Sequence, residues 1–346
     1  MSHMKKLFLI LFFTPLFLSG CDAIQGPAAE VSGAYVGSEH EGNYIWAGAM
    51  NLAWTDLNES ILNEPLILNT EDPAVLEMVD AFNDPVFEKG DLDEASYYIK
   101  SGYGQETINQ INQESREKFP EKRFTDLDYK LGAEDIIAYA YFLKQVEYLE
   151  PFQVNEMEFE GEMVNGFEVD ETRNVEVVNY WNDDQFLIQL PLKNSEDELF
   201  LAKGFSMEGP EDVLKNLSEY DHSGIEMIRW NDKFEVPMIS LDYRRDYSGI
   251  IGNFLANEGF ENHVIAQMYE KIKFQMDESG ARVENEAIIG VLAGSNGPES
   301  DSPPPPTPRN FILDEPFWMI MKRSGSDVPY FILGIQNTEF MEVVGE

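Results

Sequence analysis

The chain has 346 residues, of which 64 are acidic and 24 basic, so its formal net charge is −40 at pH 7. This charge excludes binding to nucleic acids or to anionic lipid headgroups through a basic surface. Hydrophobic residues make up 43% of the chain, which is enough to bury a sizeable core in one large domain or two small ones. The acidity serves solubility, or else it attracts a cationic partner.

The first 20 residues have the layout of a secretory signal peptide. Lys5 and Lys6 precede an apolar run (residues 7–18) that is too short for a permanent membrane-spanning helix. The run ends in Leu-Ser-Gly before Cys21, and this ending resembles the lipobox of bacterial lipoproteins. The resemblance implies cleavage before Cys21 and lipid attachment to its thiol. The alternative is an ordinary secretory signal with an accidental cysteine.

These features predict a division of the chain into three parts. Residues 1–20 are the signal peptide, in which residues 1–3 are interpreted as a tag remnant before a native start at Met4. Residues 21–42 carry the lipidated Cys21 and a flexible tether rich in Gly, Ala, Ser and Glu. Residues 43–346 form the folded domain. We expect a lipid-anchored protein of the bacterial cell envelope that faces the periplasm or the exterior. Cys21 is the only cysteine, so no intramolecular disulfide and no cysteine-based metal site is expected.

Helices are predicted in the first part of the domain. Apolar residues at helical spacing predict a core-facing helix over residues 44–62. Asp72 followed by Pro73 is typical of a helix start, with an N-cap and a proline in the first turn. A third, more polar helix is predicted over residues 105–119.

Strands dominate the later part of the domain. Ile136–Phe142 is an apolar, aromatic run that suits a buried strand, although periodicity alone does not exclude a helix. Residues 157–163 alternate between Met or Phe and Glu, which favours one strand with a solvated acidic face over a metal site. This order of elements, helices first and strands later, indicates an α+β fold. Further strands are predicted at residues 175–178, 186–190, 199–202, 234–242, 271–276, 317–321 and 330–335, with helices at 210–217 and 247–256.

Sequence motifs of the common enzyme classes are absent. The chain has no nucleotide-binding glycine loop after a strand, no His-Glu-x-x-His helix and no Gly-x-Ser-x-Gly elbow. His222 and His263 lie in polar, turn-like contexts and are interpreted as surface residues. The five tryptophans are scattered and are interpreted as core residues. We therefore predict no enzyme activity, no catalytic residues, no metal and no cofactor.

A succession of short segments in the later part of the chain resembles the serpins in order and spacing. Asp277-Glu278-Ser279-Gly280 is similar to the hinge that precedes the serpin reactive loop. Phe311-Ile312-Leu313-Asp314-Glu315-Pro316-Phe317 is similar to the run that follows this loop. The other similar segments are residues 136–142, 150–152, 189–192, 236–239, 247–260 and 332–335.

The resemblance implies a serpin-like α+β fold, with a large mixed β-sheet, packed helices and an exposed reactive loop over residues 281–310. It implies inhibition of a serine or cysteine protease, because a cleaved serpin loop inserts into the sheet with the protease still attached. The scissile bond is expected near Ala293, Gly294 and Ser295. The hinge residues are Glu278, Gly280, Ala281 and Val283.

Alternation in the loop fits insertion as a strand with one buried face. The inward residues are small or apolar except for Asn285, whose unpartnered burial costs about 1–3 kcal/mol. Four prolines (residues 303–306) cannot join a central strand, but they follow the expected scissile bond and stay outside the inserting half. The inward set is Ala281, Val283, Asn285, Ala287 and Ile289.

Several departures from the serpin pattern keep a second function open. Few helices fit between Gly42 and Gln105. Ala138 stands where serpins have an asparagine, and Glu270 and Glu315 replace histidines. The partner is then either a protease, most simply of the serine type, or another protein that a non-inhibitory, serpin-like surface protein binds through the long Pro-rich loop.

Overall fold

The computed structural model describes residues 30–31, 42–169, 174–220, 226–283 and 307–345. Four α-helices and eighteen strands are defined in these ranges. The helices are α1 (Ala49–Leu57), α2 (Pro73–Asn83), α3 (Gly104–Lys118) and α4 (Glu211–Ser218). The first nine strands are β1 (Glu30–Val31), β2 (Tyr44–Ala47), β3 (Tyr97–Tyr103), β4 (Ile136–Phe142), β5 (Lys144–Glu147), β6 (Gln153–Phe159), β7 (Glu162–Glu168), β8 (Glu176–Asn182) and β9 (Gln185–Gln189). The others are β10 (Asp197–Lys203), β11 (Glu226–Met227), β12 (Lys233–Pro237), β13 (Ile239–Asp246), β14 (Tyr269–Asp277), β15 (Gly280–Val283), β16 (Asn310–Ile312), β17 (Phe317–Arg323) and β18 (Pro329–Ile335).

The largest sheet is mixed and has eight strands in the order β1-β2-β18-β17-β10-β9-β8-β11. Its β1–β2 pair is parallel, and the central strands β10, β17 and β18 pair antiparallel. Strands β10 and β18 are buried along their whole length. Strand β18 has no charged residue, whereas β10 also buries Asp197, Glu198 and Lys203. This sheet confirms the predicted α+β class with a large mixed sheet.

The remaining strands form two four-stranded sheets and one pair. One sheet has the order β16-β12-β7-β6, the other has the order β13-β14-β15-β5, and β3 pairs with β4. Because β5 follows β4 after the single residue Leu143, the pair and the second four-stranded sheet are continuous along the chain.

The start of the domain differs from the predicted helix over residues 44–62. Tyr44, Ile45, Trp46 and Ala47 form β2, which pairs with β18, and all four are buried. Tertiary pairing overrides helical spacing here, because a fully buried aromatic and β-branched run fits a sheet interior. Helix α1 begins only after Gly48, where an added Cβ would lie 2.1 Å from Phe87 Cε1.

Two other predictions are wrong in detail. Residues 157–163 are not one strand: β6 and β7 form a hairpin, because Glu160 (φ 49°) and Gly161 (φ 84°) make a two-residue turn. Residues 247–256 are not a helix. After one turn in which the Tyr247 carbonyl accepts two backbone bonds, Gly252 (φ 91°) diverts the chain, and its N–H donates to the Ile265 carbonyl.

The tryptophans divide into two groups. Trp46, Trp54 and Trp318 are core residues as predicted. Trp181 and Trp230 are 44% and 72% exposed, so their assignment to the core is wrong. Among the described residues, no helix is both long and apolar enough to cross a membrane.

Candidate functional site

The hinge forms a tight turn between β14 and β15. The Asp277 carboxylate accepts the Ser279 backbone N–H at 2.9 Å, which fixes the turn. Burial raises the pKa of Asp277 above its usual range. Gly280 has no room for a side chain, since an added Cβ would lie 2.2 Å from the Val146 carbonyl oxygen. Glycine is therefore the residue type that fits at position 280 without a clash.

Strand β15 lies between β5 and β14 and pairs antiparallel with both. Ala281 is fully buried, opposite Val146 on one side and Met276 on the other. The carbonyls of Glu278 and Ser279 accept backbone N–H groups of Phe152 and Tyr148 at 2.8 and 3.0 Å. The four predicted hinge residues are thus brought together at one end of this sheet.

Below β15 the sheet is open. No strand pairing joins β4 to β14 within the described ranges: β4 pairs only with β3, and residues 269–274 of β14 pair only with β13. A cavity of about 790 Å³ separates the two strands, with α1 forming its base. We call this space the sheet gap. Because of it, residues 136–140 are half-buried, and only Tyr141 and Phe142 of the predicted buried strand are buried.

Glu270 is a buried carboxyl in the wall of the sheet gap. It is 6% exposed. The Tyr247 hydroxyl donates to its Oε2 at 3.4 Å. Burial raises the pKa of Glu270 to about 8, against the opposing effects of Tyr247, Met50 and Arg245. Ala138, the second departure from the serpin pattern, lies across the gap on β4.

The distal end of the loop is fixed by Arg309. Its Nη2 and Nε donate to Asp232 Oδ2 at 2.7 and 3.0 Å, and its Nη1 donates to Glu226 at 2.8 Å. The Arg309 backbone N–H donates to the other Asp232 oxygen at 2.9 Å. Burial acts to raise the pKa of Asp232, but hydrogen bonds from Arg309 and the Arg229 backbone outweigh it and hold that pKa below its usual range.

The sequence singled out neither this ion-pair cluster nor the sheet gap. Arg309 and Asp232 are 77 residues apart, and in a chain with so many carboxylates no local pattern marks the pair. Other predicted site residues lie outside the described ranges: the cleavage-site residues Ala293, Gly294 and Ser295, and the lipid-attachment residue Cys21. Of the two histidines interpreted as surface residues, His263 is half-buried and contacts the Glu134 carbonyl, and His222 lies outside the described ranges. No cluster of three or more metal-ligating side chains occurs among the residues that the structure describes.

The chain has a serpin fold, as its similarity to solved structures shows. Thyroxine-binding globulin in complex with thyroxine aligns with this chain at a TM-score of 0.51 and 9% identity, over 86% of this chain and 93% of that one. At such identity the likeness shows the fold alone. No family model and no curated protein matches the sequence.

Two further serpin structures align over similar lengths. AtSerpin1 of Arabidopsis, in a native stressed conformation, aligns at 16% identity and a TM-score of 0.49, over 87% of this chain and 93% of that one. Serpin48 of the insect Tenebrio molitor aligns at 12% identity and a TM-score of 0.49, over 86% of this chain and 92% of that one.

Proposed function

We propose that this chain is a membrane-tethered, serpin-like inhibitor of serine, or cysteine, proteases that acts by cleavage and insertion of its loop (residues 281–310). The observation that carries the proposal is the position of β15. It occupies one end of the space between β5 and β14, and the sheet gap continues from it in the direction of the following residues.

Continuation of the β15 register supports insertion of the next residues into the sheet gap. Arg282 lies opposite Gln275, so the same register puts Glu284 opposite Lys273 and Glu286 opposite Lys271. Opposite charges across neighbouring strands stabilise a sheet by about 0.2–1 kcal/mol per pair. An inserted strand would also have ladder hydrogen bonds to both neighbours, each worth about 1 kcal/mol net.

Cleavage supplies the step that frees the loop. The nucleophile of the protease attacks the carbonyl carbon of Gly294, an acyl-enzyme forms, and the amine of Ser295 leaves with a proton. Insertion of the segment ahead of Gly294 would then pull the acylated protease along the sheet before water releases it. Arg309 keeps the other cut end on β16, so the two ends separate.

The tether places this activity at a surface. Lipid on Cys21 would hold the protein to the bacterial cell envelope, facing the periplasm or the exterior. Membrane attachment through lipid agrees with the acidic composition, which disfavours binding to anionic headgroups by charge.

A second candidate function is favoured by Glu270. In the continued register Ala287 would lie opposite this buried carboxyl, so insertion must cover a group that already has an unpartnered oxygen. A non-inhibitory surface protein that binds its partner through the Pro-rich loop needs no insertion.

One experiment separates the two functions. The full-length protein in detergent is incubated with an elastase-like or a subtilisin-like protease and analysed by denaturing electrophoresis and thermal unfolding. Inhibition predicts a covalent complex that survives denaturation, and a melting temperature raised by many degrees after cleavage. Cleavage without a complex and without a change in melting temperature would contradict inhibition and favour the non-inhibitory binding protein.

The variant Ala281→Arg serves as the matched control. Ala281 is fully buried on β15, so the substitution forces a charge into the core at the first inserted position. We expect the variant to be cut at the same rate but to form no covalent complex and to gain no thermal stability. A complex formed as fast as in the unsubstituted protein would contradict insertion at this register.

A further inference from the structure

The carboxyl of Glu270 is incompletely satisfied where it borders the sheet gap. Its Oε2 accepts from Tyr247, whereas its Oε1 is buried and has no hydrogen-bond partner. No ion pair within 4.0 Å forms between Glu270 and a described cation. A buried acceptor without a donor costs about 1–3 kcal/mol, so the site favours a ligand that supplies the donor.

Arg245 is the described cation whose charge contributes to the pKa of Glu270. It lies directly opposite Glu270 on β13, and its attraction is the smallest of the effects on the Glu270 pKa. Its guanidinium packs on the Tyr247 ring at 5.1 Å and does not border the sheet gap. Lys130, Lys271 and Lys273 also line the sheet gap, but none of the ion pairs within 4.0 Å among the described residues joins them to Glu270.

The walls of the sheet gap are mostly apolar and come from three directions. A volume of about 790 Å³ falls in the usual range of small-molecule sites, roughly 300–1,000 Å³. Such a site, apolar with a single buried carboxyl, suits an elongated apolar molecule with one polar end. The apolar and aromatic lining includes Met50 and Trp54 from α1, Tyr139 and Tyr141 from β4, and Met268 and Ile272 on and beside β14.

We propose that the sheet gap is a binding site for an amphipathic primary amine, whose ammonium group donates to Glu270 Oε1 and whose apolar body fills the space between β4 and β14. The chemistry selects an amine above about pH 8, where Glu270 is ionised and the binding test is made, because a cation offsets the cost of the buried carboxylate, which a neutral alcohol does less well and a second carboxylate worsens. The net charge of −40 also concentrates cations near the protein.

The site goes beyond the proposed inhibition and is tested without it. A bound amine would occupy the same space as an inserted strand, but its binding requires neither protease nor loop cleavage. If the covalent complex fails to form and the amine still binds, only the inhibitor proposal fails. If the covalent complex forms and the amine does not bind, only the amine-site proposal fails.

The test compares three eight-carbon probes that differ only at the polar end: octylamine, octanol and octanoate. Binding to the full-length protein in detergent is measured by calorimetry and by the fluorescence of Trp54, which lines the gap. We expect octylamine to bind about tenfold more tightly than octanol, as one charge-assisted hydrogen bond would give. Octanoate should bind most weakly. Equal affinity of octylamine and octanol, or no saturable binding, would overturn the proposal.

Three variants locate the binding. Glu270→Gln should lower octylamine affinity about tenfold and leave octanol unchanged. Glu258→Gln removes an exposed carboxylate as a charge-matched control and should change neither. Ala138→Phe fills the gap from β4 and should weaken all three probes. Octylamine affinity that is retained in both Glu270→Gln and Ala138→Phe would contradict the assignment.

Discussion

Glu270 and Gly280 show how single residues set the behaviour of the sheet around the gap. Glu270 stores an electrostatic cost, because it holds a carboxyl out of water with only partial hydrogen bonding. Gly280 carries no charge and has no such cost, but there is no room for a side chain at this position, where β15 begins. Glu270 makes the free energy of unfolding depend on pH, whereas Gly280 restricts the residue type that fits at the start of β15.

Protonation of Glu270 predicts a loss of stability as pH rises. Its pKa is raised by burial from 4.5 to about 8 in the folded protein, so the native state binds more protons than the unfolded state between these values. The free energy of unfolding should therefore fall across this window, by a few kcal/mol at most. Urea unfolding of Glu270→Gln should show a flatter pH profile and greater stability above pH 8.

The control for this pH profile is Glu258→Gln, which removes an exposed carboxylate. Its profile should parallel that of the unsubstituted protein. If the pH profile of Glu270→Gln also parallels that of the unsubstituted protein, ionisation of Glu270 costs little free energy of unfolding.

Substitution of Gly280 should disturb the start of β15. In Gly280→Ala the added Cβ would lie 2.2 Å from the Val146 carbonyl oxygen, which is backbone and cannot rotate away. We expect a loss of about 1–3 kcal/mol in the free energy of unfolding, as for other overpacked sites. Gly90→Ala, where no atom lies within 4 Å of the added Cβ, is the matched control. Equal urea midpoints for the two variants would contradict the close approach of residue 280 to the Val146 carbonyl oxygen.

At the scale of elements, sequence patterns predicted strands and helices best where local signals and tertiary pairing agree. Helix α2 begins where Asp72 and Pro73 predict it, and the Asp72 side chain accepts from Ala74 N. The β6–β7 hairpin was missed because alternation runs unbroken across its turn. Strand β2 was missed because its partner β18 is almost 300 residues away. The hinge could be predicted from its resemblance, whereas the sheet gap depends on strands that do not pair, and no sequence pattern records this.

The attachment of β16 is an element-scale property that Arg309 controls. Strand β16 is a three-residue edge strand paired only with β12, and Asn310 also bonds to Asp183 while Phe311 is buried. Arg309→Met leaves Asp232 buried with no cation and should cost about 3–5 kcal/mol. Urea unfolding measures this loss, and hydrogen exchange should report faster opening of residues 310–312.

A double variant separates the loss of the Arg309–Asp232 attraction from the cost of leaving Asp232 charged and unpaired. In Arg309→Met with Asp232→Leu no charge is left unpaired, so much of the stability should return. If the double variant is as unstable as Arg309→Met alone, the cost comes from packing and not from the buried, unpaired carboxylate of Asp232.

On the scale of the whole molecule, charge and attachment act together. Without residues 1–20 and their two lysines, 22 basic side chains face 64 acidic ones, a net charge of −42. Such a protein is repelled by anionic membranes, so attachment to a membrane would depend on the proposed lipid.

Removal of the lipid site should release the protein from the membrane. We expect Cys21→Ser to move from the membrane fraction to the soluble fraction, since the lipid on Cys21 is the proposed membrane anchor. Mass spectrometry of the unsubstituted protein should show a diacylglyceryl group on an N-terminal Cys21. A Cys21→Ser protein that stays membrane-bound and uncleaved would identify residues 7–18 as an anchor helix.

With the lipid anchor proposed at Cys21, the short parallel pairing of β1 with β2 would limit the distance between the domain and the bilayer. Glu30 lies nine residues after Cys21, so a taut chain between them spans about 30 Å, whereas a chain that is free up to Tyr44 would span about 80 Å. The pairing therefore shortens the free part of the proposed tether. A lipid-anchored domain on this short tether would reach only a thin layer of solvent next to its membrane, so its partners would be proteins that approach that surface.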